Sequence, residues 1–187
     1  SRVAVREIDR INDLVERLRV LSSPVKPLGP LDLRGPIEET LELLQARLED
    51  RRISVARTYD ERRPAVMGEP NQLKQLFLNL FLNSLEAMEP GGTLPIRLKT
   101  QEGAGDSVLV VEVADTGCGI PEGLSENIFD TFFSTKPQGT GLGLVICRGI
   151  TDAHRATIRA ANNPTGGGAT ISLTFPAAVG IAAEVHG

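Results

Sequence analysis

The segment 115–144 holds residues whose types and spacing are suited to chemistry. It contains two glycine clusters, DTGCGI and GTGLGL, and an aspartate leads the first of them. The apolar strand expected before this cluster delivers Asp115 at its end, and glycines at 117 and 119 let backbone come close to a ligand. A carboxylate at that point can accept a hydrogen bond from an exocyclic amine, such as the amine of adenine.

The second cluster is expected to bind phosphate. Gly139, Gly141 and Gly143 lie before and within the first turn of a predicted helix, where exposed N–H groups and the positive end of the helix dipole favour an anion. The common patterns are absent, since there is no G-x-x-x-x-G-K-[ST] run and GTGLGL fails the spacing of G-x-G-x-x-G. The H-R-D and D-F-G signatures of protein kinases are absent as well.

The loop between the clusters, ENIFDTFFSTKPQ, is predicted to be a lid. Phe129, Phe132 and Phe133 would anchor it by packing. Thr135 and Lys136 would be polar tips that reach phosphates when the loop closes.

A predicted helix from about Glu69 to Met88 carries a polar stripe on a largely apolar surface. At about 100° per residue, five polar residues fall within about 80° of one another. Because a buried amide without a partner costs roughly 1–3 kcal/mol, stacked amides on such a helix predict a ligand pocket. A solvated edge, or hydrogen bonds to neighbouring backbone, is the alternative. An amide oxygen also suits Mg²⁺, which usually bridges to phosphates. The five residues are Gln72, Gln75, Asn79, Asn83 and Glu86.

The order of the predicted elements indicates an α+β sandwich. Helical and strand periodicities follow one another as α, β, α, β, β, α, β, β, loop, α, β, β. This order favours a mixed, mostly antiparallel sheet. The strand SVLVVEVA is apolar on both faces at its centre and should lie inside the sheet. The first strand is expected at 31–33, followed by a helix from Pro36 to about Arg51.

The first 22 residues are predicted to form a separate helix with a bundle seam. Its apolar positions alternate steps of four and three, which is typical of a helical bundle, although an amphipathic helix lying on its own domain is the alternative. The proline-rich stretch that follows predicts a stiff linker. We therefore expect a bundle helix at 1–22, a linker at 23–30, a main domain at 31–176 and a tail at 177–187. The seam consists of Ala4, Ile8, Ile11, Val15, Leu18 and Ser22.

Composition excludes several classes of function. The chain has 187 residues, of which 41% are hydrophobic and 24% charged, with a net charge of −4. These values are ordinary for a globular protein and argue against a nucleic-acid-binding surface. No apolar stretch approaches the roughly 18 residues of a membrane span, so no membrane contact is expected from this chain. Cys118 and Cys147 favour neither a disulfide framework nor a metal site, and a cytoplasmic location is expected even if the parent protein is membrane-anchored.

Four motifs in this order resemble the catalytic, ATP-binding domain of sensor histidine kinases, in the superfamily that includes gyrase, Hsp90 and MutL. QLFLNLFLNSLEAM resembles the N box, DTGCGI the G1 box, IFDTFFSTK the F box and GTGLGL the G2 box. NSLEAMEPGG and FFSTKPQGTGLGL are most similar to the nitrogen-regulatory type. EIDRINDLVERLRVLSSP resembles the second helix of the dimerisation and phosphotransfer hairpin. The resemblance implies the Bergerat ATP-binding fold, a two-layer sandwich with helices on one face.

The resemblance also implies roles for individual residues, with ATP and Mg²⁺ as cofactors. Asn83 would coordinate Mg²⁺, and Asn79 would support the phosphates or their surroundings. Asp115 would read the adenine amine, and Thr170 would reach adenine through water. Lys136 would help to hold the γ-phosphate and, with the two asparagines, complete the catalytic set. The further nucleotide contacts implied are Gly117, Gly119, Ile120, Thr135, Gly139, Thr140, Gly141, Leu142 and Gly143.

One departure from the superfamily favours phosphotransfer over hydrolysis. Asn79 stands where the superfamily's ATP hydrolases carry a glutamate as general base for water. An amide cannot accept a proton at neutral pH, so hydrolysis should be poor. Two other departures affect details. AHRATI stands where many relatives have a His-Gly-Gly turn, so that helix is expected to end differently from theirs. Glu86 and Ala87 replace the basic and aromatic pair found in many sensor kinases, so stacking on adenine should be weaker.

The sequence contains no candidate for the acceptor histidine. His154 is expected to end a helix as a cap or packing residue, and His186 lies in the tail. The chain is therefore expected to be a histidine kinase fragment that begins inside the kinase core. Phosphate would pass from ATP to a histidine and then to a response regulator receiver domain. The missing phosphotransfer helix and a second copy of the parent chain would be its other partners. The alternatives are a degenerate nucleotide sensor or scaffold, and a serine kinase or ATPase of the same superfamily.

Overall fold

The computed structural model describes residues 27–62, 64–102, 107–125, 127–129 and 142–182, with side chains to residue 178. The helices are α1 (Arg34–Leu43), α2 (Gln45–Asp50), α3 (Pro70–Ala87) and α4 (Gly143–Ala153), with a 3₁₀ turn at Asn127–Phe129. The strands are β1 (Gly29–Leu31), β2 (Ser54–Tyr59), β3 (Pro64–Gly68), β4 (Thr93–Glu102), β5 (Ser107–Ala114), β6 (Thr157–Asn162) and β7 (Ala169–Ala182).

The described strands form one mixed sheet, which confirms the predicted α+β architecture. Its order is β1-β3-β7-β5-β4-β2, and β6 also pairs with β7. Every pair is antiparallel except β2 with β4. The strand β5 lies between β4 and β7, as its two apolar faces predict.

The hydrophobic core lies between this sheet and the helices. Because side chains alternate across a strand, every second residue of β4, β5 and β7 contributes to it. From the helical side, the fully buried rings of Phe77 and Phe81 in α3 stack with their centroids 6.0 Å apart. The core residues that these three strands contribute are Leu94, Ile96, Leu98, Leu109, Val111, Val113, Leu173 and Phe175.

Helix α3 begins and ends within one residue of the predicted limits. Glu69 is its N-cap, and the carboxylate accepts a hydrogen bond from the N–H of Gln72 (2.8 Å). Pro70 occupies the first turn, where its missing N–H costs nothing. At the other end, Arg51 donates from Nη2 to the carbonyl of Met88 (2.7 Å). These contacts fix the position of the helix that carries the polar stripe.

Helices α3 and α4 pack antiparallel, and two contacts fix their register. His154, the C-cap of α4, accepts at Nε2 a hydrogen bond from the N–H of Glu69 (3.0 Å), and its Nδ1 donates to the carbonyl of Ile150 (2.7 Å). In the second contact, the thiol of Cys147 donates to the carbonyl of Leu76 (3.8 Å). Cys147 lies seven residues before His154, and Leu76 lies seven residues after Glu69, so the two helices run in opposite directions. His154 is thus a buried cap, as predicted.

The helix predicted from Pro36 to about Arg51 is divided into α1 and α2. The hydroxyl of Thr40 donates to the carbonyl of Pro36 (2.6 Å), a local bond that tends to bend helices. The N–H of Leu44 bonds to the carbonyls of both Thr40 and Leu41, which tightens the turn at the break.

Two strands also differ from their predicted limits. The strand β1 begins two residues before the predicted 31–33 and ends at Leu31, while Leu33 is fully buried before α1. The strand β7 continues to Ala182, beyond the predicted boundary at 176, because its last part pairs with β3. Proline at 176 and the small residues after it concealed this extension, since proline is rare within strands.

Several predicted features lie wholly or partly outside the described residues: the bundle helix at 1–22, the first half of the linker (23–26), the lid at 126–138 apart from 127–129, and the last five residues of the tail. Among the helices that the structure describes, none combines the length and the apolar character needed to cross a membrane.

Replacing His154 with phenylalanine should destabilise the domain. The variant keeps a ring but leaves the buried N–H of Glu69 without its acceptor, so we expect the free energy of unfolding to fall by about 2–3 kcal/mol in urea denaturation. Leu43→Ala, at a side chain that is 73% exposed, should change it by less than about 0.5 kcal/mol. A His154→Phe protein as stable as the wild type would contradict this account of the helix pair.

Candidate nucleotide-binding site

The polar stripe of α3 runs from the interior of the domain to its surface. Gln75 is 2% exposed and Asn79 is fully buried. One turn later, Asn83 is half-buried, and Glu86 beyond it is exposed. A solvated edge, the alternative that the sequence allows, therefore does not describe the first two amides.

Asn79 carries two buried polar atoms that have no hydrogen-bond partner in the part of the chain described. Both its Oδ1 and its Nδ2 are unpartnered, as is Nε2 of Gln75 one turn earlier. Each such atom costs roughly 1–3 kcal/mol, which a water or a ligand at this position would recover. Among the described residues, the Asn79 side chain therefore makes no hydrogen bond to neighbouring backbone, which was the other alternative.

The start of α4 lies beside this stripe. The antiparallel register places Leu76 of α3 against Cys147 of α4. One helical turn further, the same register places Asn79 level with Gly143, the first residue of α4. Gly143 is buried, and the N-cap residue Leu142 makes no side-chain capping bond. The first N–H groups of a helix without such a cap need another acceptor, which a phosphate can supply. The register therefore places Asn79 level with Gly143, at the end of the second glycine cluster that the structure describes.

Asp115 is held by backbone groups at the end of β5. Its side chain is buried, and its N–H donates to the carbonyl of Ala169 (2.9 Å). The carboxylate Oδ1 accepts from the N–H of Gly117 (2.9 Å) and from the N–H of Ala169 (3.3 Å). These bonds hold the carboxylate in one orientation.

Two glycines around Asp115 are required because other backbone comes very close. A Cβ on Gly117 would lie 2.3 Å from the carbonyl oxygen of Ala87, the last residue of α3. A Cβ on Gly168 would lie 2.0 Å from the carbonyl oxygen of Asp115, and Gly168 also has a φ of 81°. The turn after β5, residues 115–119, is therefore packed between the end of α3 and the start of β7.

Two asparagines that the sequence analysis missed support this turn. The side chain of Asn162 pairs with Ile120, since its Oδ1 accepts from the N–H (2.7 Å) and its Nδ2 donates to the carbonyl (2.8 Å). Asn163 donates from Nδ2 to the carbonyl of Asp115 (2.8 Å) and accepts at Oδ1 from the hydroxyl of Thr170 (2.6 Å). The sequence NNPTGGG predicts a turn but gives no signal for these partners.

The predicted residues fall into three groups. Asp115, Gly117, Gly119 and Ile120 come together around the turn after β5, and Gly119 has the positive φ, 75°, that favours glycine. Thr170 pairs with Ala114, so its side chain lies on the face of the sheet opposite to that of Asp115, and its hydroxyl donates to Asn163. The antiparallel register of α3 and α4 places Asn79 level with the start of α4 at Leu142 and Gly143, with Asn83 one turn further along α3. The third group lies outside the described residues, so its roles stay predictions: Thr135, Lys136, Gly139, Thr140 and Gly141.

A cavity of about 420 Å³ opens beside the turn after β5. Neither Asn79, Asn83 nor Asp115 lines it, so it does not coincide with the predicted site. Cys118 is an exposed, free thiol at its rim. The other lining residues are Ala87, Glu89, Pro90, Gly91, Gly92, Thr116 and Gly117.

The chain belongs to the family described as "Histidine kinase-, DNA gyrase B-, and HSP90-like ATPase", whose profile matches residues 68–179, more than half of its length. The sensor histidine kinase TmoS of Ectopseudomonas mendocina is 34% identical over 175 residues, which are 92% of this chain and 18% of that protein. The signal transduction histidine-protein kinase AtoS of Escherichia coli is 36% identical over 175 residues, which are 93% of this chain and 28% of that protein. The chain thus spans less than a third of these two relatives.

Solved structures agree with this assignment. The catalytic domain of histidine kinase ThkA matches with a TM-score of 0.72 and 31% identity, over 81% of this chain and 97% of that one. ThkA in complex with the response regulator protein TrrA matches with a TM-score of 0.73 and 25% identity, over 94% of this chain and 50% of that one. The predicted ATP-binding domain of a sensor histidine kinase, and its fold, are confirmed.

Alanine at Gly168 should disturb the site far more than alanine at Gly166. Both glycines have a positive φ, 81° and 88°, but a Cβ at Gly166 meets nothing within 4 Å. We expect Gly166→Ala to cost about 1 kcal/mol of unfolding free energy from backbone strain alone, and Gly168→Ala about 3 kcal/mol because of the clash with Asp115. Urea denaturation measures both, and equal losses would show that the close contact is not rigid.

Proposed function

We propose that this domain binds ATP with Mg²⁺ and, in the intact protein, transfers the γ-phosphate to a histidine, from which it passes to a response regulator. The observation that carries the proposal is the buried, unpartnered amide of Asn79 beside the uncapped start of α4. A polar group left unsatisfied in a close-packed core is exceptional and marks a position that a ligand completes. The triphosphate would lie along this end of the site.

The residues present fit a Mg²⁺ ion held together with phosphates. The amide oxygen of Asn83 is a hard ligand, and its half-buried position one turn from Asn79 gives it access to both protein and solvent. When bound, the ion would neutralise charge on the phosphate oxygens and orient the γ-phosphate. Asn79, which is fully buried, would act on the phosphates through a water or a neighbouring group.

The other end of the site would read the base. Asp115 is oriented by the backbone N–H groups of Gly117 and Ala169 through Oδ1. We propose that its carboxylate accepts a hydrogen bond from the exocyclic amine of adenine. A purine with a carbonyl at that position would face a second acceptor and be disfavoured.

Transfer to a histidine is favoured over hydrolysis because no carboxylate stands at position 79. Hydrolysis requires a group that takes a proton from water, and a carboxamide does not do so at neutral pH. A histidine nucleophile needs positioning and charge neutralisation instead, which backbone amides at the start of α4 would supply. The alternatives to histidine phosphotransfer are a scaffold that binds nucleotide without transferring phosphate, an ATPase and a serine kinase. The experiments below distinguish the proposal from them.

The intact protein would supply the parts absent from the site. The bundle helix at 1–22, joined by the linker at 23–30, would be the second helix of a phosphotransfer hairpin and would pair with a first helix carrying the acceptor histidine. ThkA is known in complex with a response regulator, and a receiver domain of that class would be the partner here. A homodimer of the parent protein would complete the hairpin bundle. The nucleotide domain, predicted as 31–176, would also include the ends of β1 and β7 that extend beyond these limits, with the tail after them.

Asn83→Ala should remove the Mg²⁺ dependence of ATP binding. In isothermal titration with Mg²⁺ present we expect its Kd to rise by about tenfold or more, as for loss of a metal-supporting group, and to change little in EDTA. Asn71→Ala, an exposed asparagine on the same helix, is the matched control and should match the wild type. No ATP binding by the wild type at millimolar nucleotide would refute the proposed function.

A separate experiment tests the class of reaction. With γ-labelled ATP and Mg²⁺, the chain alone should release phosphate slowly, whereas a hairpin that carries the acceptor histidine, added in trans, should acquire acid-labile label. Rapid phosphate release without the hairpin would support the ATPase alternative. ATP binding with no labelled hairpin would support the scaffold.

A further inference from the structure

Gln75 is a second buried amide on α3, and the proposed function gives it no role. It lies one helical turn before Asn79 and is 2% exposed. Its Nε2 amino group is buried and has no hydrogen-bond partner among the described residues. Because a buried donor without an acceptor lowers the stability of the domain, a glutamine at this position needs an explanation.

Gln75 and Asn79 lie on the same face of the helix. Residues four apart on an α-helix stand one above the other, and side chains lean toward the helix N-terminus, so the Asn79 side chain leans toward Gln75. The unpartnered buried atoms of this pair are two amino groups, Nε2 of Gln75 and Nδ2 of Asn79, and one oxygen, Oδ1 of Asn79. One amino group can satisfy the oxygen, which leaves the other for a group outside the pair.

The proposed ligand determines which way the Asn79 carboxamide must point. Phosphate oxygens, and waters that donate to them, accept hydrogen bonds, so Asn79 would face them with its Nδ2 amino group. Its Oδ1 then needs a donor from the protein. On the facing helix α4, the thiol of Cys147 and the hydroxyl of Thr151 already donate to backbone carbonyls. Among the described residues of the two helices, Nε2 of Gln75 is the buried side-chain donor that remains available.

On the basis of the proposed ATP-binding function, we propose that Gln75 is a positioning residue that fixes the orientation of the Asn79 carboxamide. Its Nε2 donates to Oδ1 of Asn79, directly or through one enclosed water, and Nδ2 of Asn79 then faces the phosphate end of the site. Gln75 acts on the nucleotide through Asn79 and does not touch it. Without this partner the amide could turn its oxygen toward the phosphates, and the cost of orienting it would be taken from the binding free energy.

The test replaces Gln75 with methionine, which has a similar length and volume but no donor. Kd values for ATP with Mg²⁺ and for adenosine are measured by titration in the full chain. We expect the Kd for ATP to rise by about three- to tenfold, since the hydrogen bond that orients the amide is lost. The Kd for adenosine, which carries no phosphate, should stay within about twofold of the wild type. Gln45→Met, the same substitution at an exposed glutamine of α2, is the matched control and should leave both Kd values unchanged.

Two further measurements separate positioning from a structural role. Methionine removes a buried unpaired donor, so the urea midpoint of the nucleotide-free Gln75→Met variant should equal or exceed that of the wild type. In an Asn79→Ala background, Gln75→Met should change the Kd for ATP by less than about twofold, because the group that Gln75 orients is absent.

Three results would overturn the inference: an unchanged Kd for ATP in Gln75→Met, a lower urea midpoint with equal losses of affinity for ATP and adenosine, or a loss of ATP affinity that persists in full in the Asn79→Ala background. The second would mean that Gln75 only stabilises the domain, and the third that it acts on the nucleotide without Asn79. Failure of the wild type to bind ATP would instead overturn the proposed function, and this inference with it, so the outcomes are distinguishable.

Discussion

The burial of Asn79 within an otherwise apolar helix is the constraint on which the rest of the site depends. Its neighbours on α3 are core residues such as Leu76, Leu80 and the stacked Phe77 and Phe81. Two unpartnered amide atoms in such surroundings lower stability by roughly 1–3 kcal/mol each. A sequence selected for stability alone would place leucine there. The polar residue fits the proposed ligand, since natural proteins break local rules at functional sites.

The second constraint is that the base-reading end must be rigid without a regular element of its own. Residues 115–119 form a turn, and turns are usually the mobile parts of a domain. Here three separate pieces hold it: the last carbonyl of α3, the glycine loop before β7, and the two asparagines at the end of β6. Close backbone contact limits how far the turn can move, which explains why Gly117 and Gly168 have no room for a Cβ. Selectivity between similar bases requires such precision.

The sequence singles out candidate residues of the site more readily than the contacts that hold them. Asn79 and Asp115 were identified because a polar residue on an apolar helix, or an acid at a strand end, departs from local expectation. Asn162 and Asn163 were missed because asparagine after a strand is ordinary turn chemistry. Their partners, Ile120 and Asp115, are more than forty residues away, so local patterns carry no signal for them. The extension of β7 was missed for the same reason, since its pairing with β3 is a tertiary contact.

Helix α3 connects the two ends of the site and determines the distance between them. Asn79 lies at the proposed phosphate end, and the carbonyl of Ala87 accepts a hydrogen bond from the N–H of Cys118 in the turn proposed to read the base (3.3 Å). Eight residues separate these positions, which corresponds to about 12 Å along the helix axis. This length is comparable to that of a nucleotide from its base to its phosphates. The carbonyl of Ala87 has no partner within α3 because it is the last residue of the helix, and the N–H of Cys118 supplies one. The same hydrogen bond therefore satisfies the end of the helix and positions the turn. A change in the length of α3 would therefore separate the phosphate and base ends of the site without altering any residue that contacts the ligand.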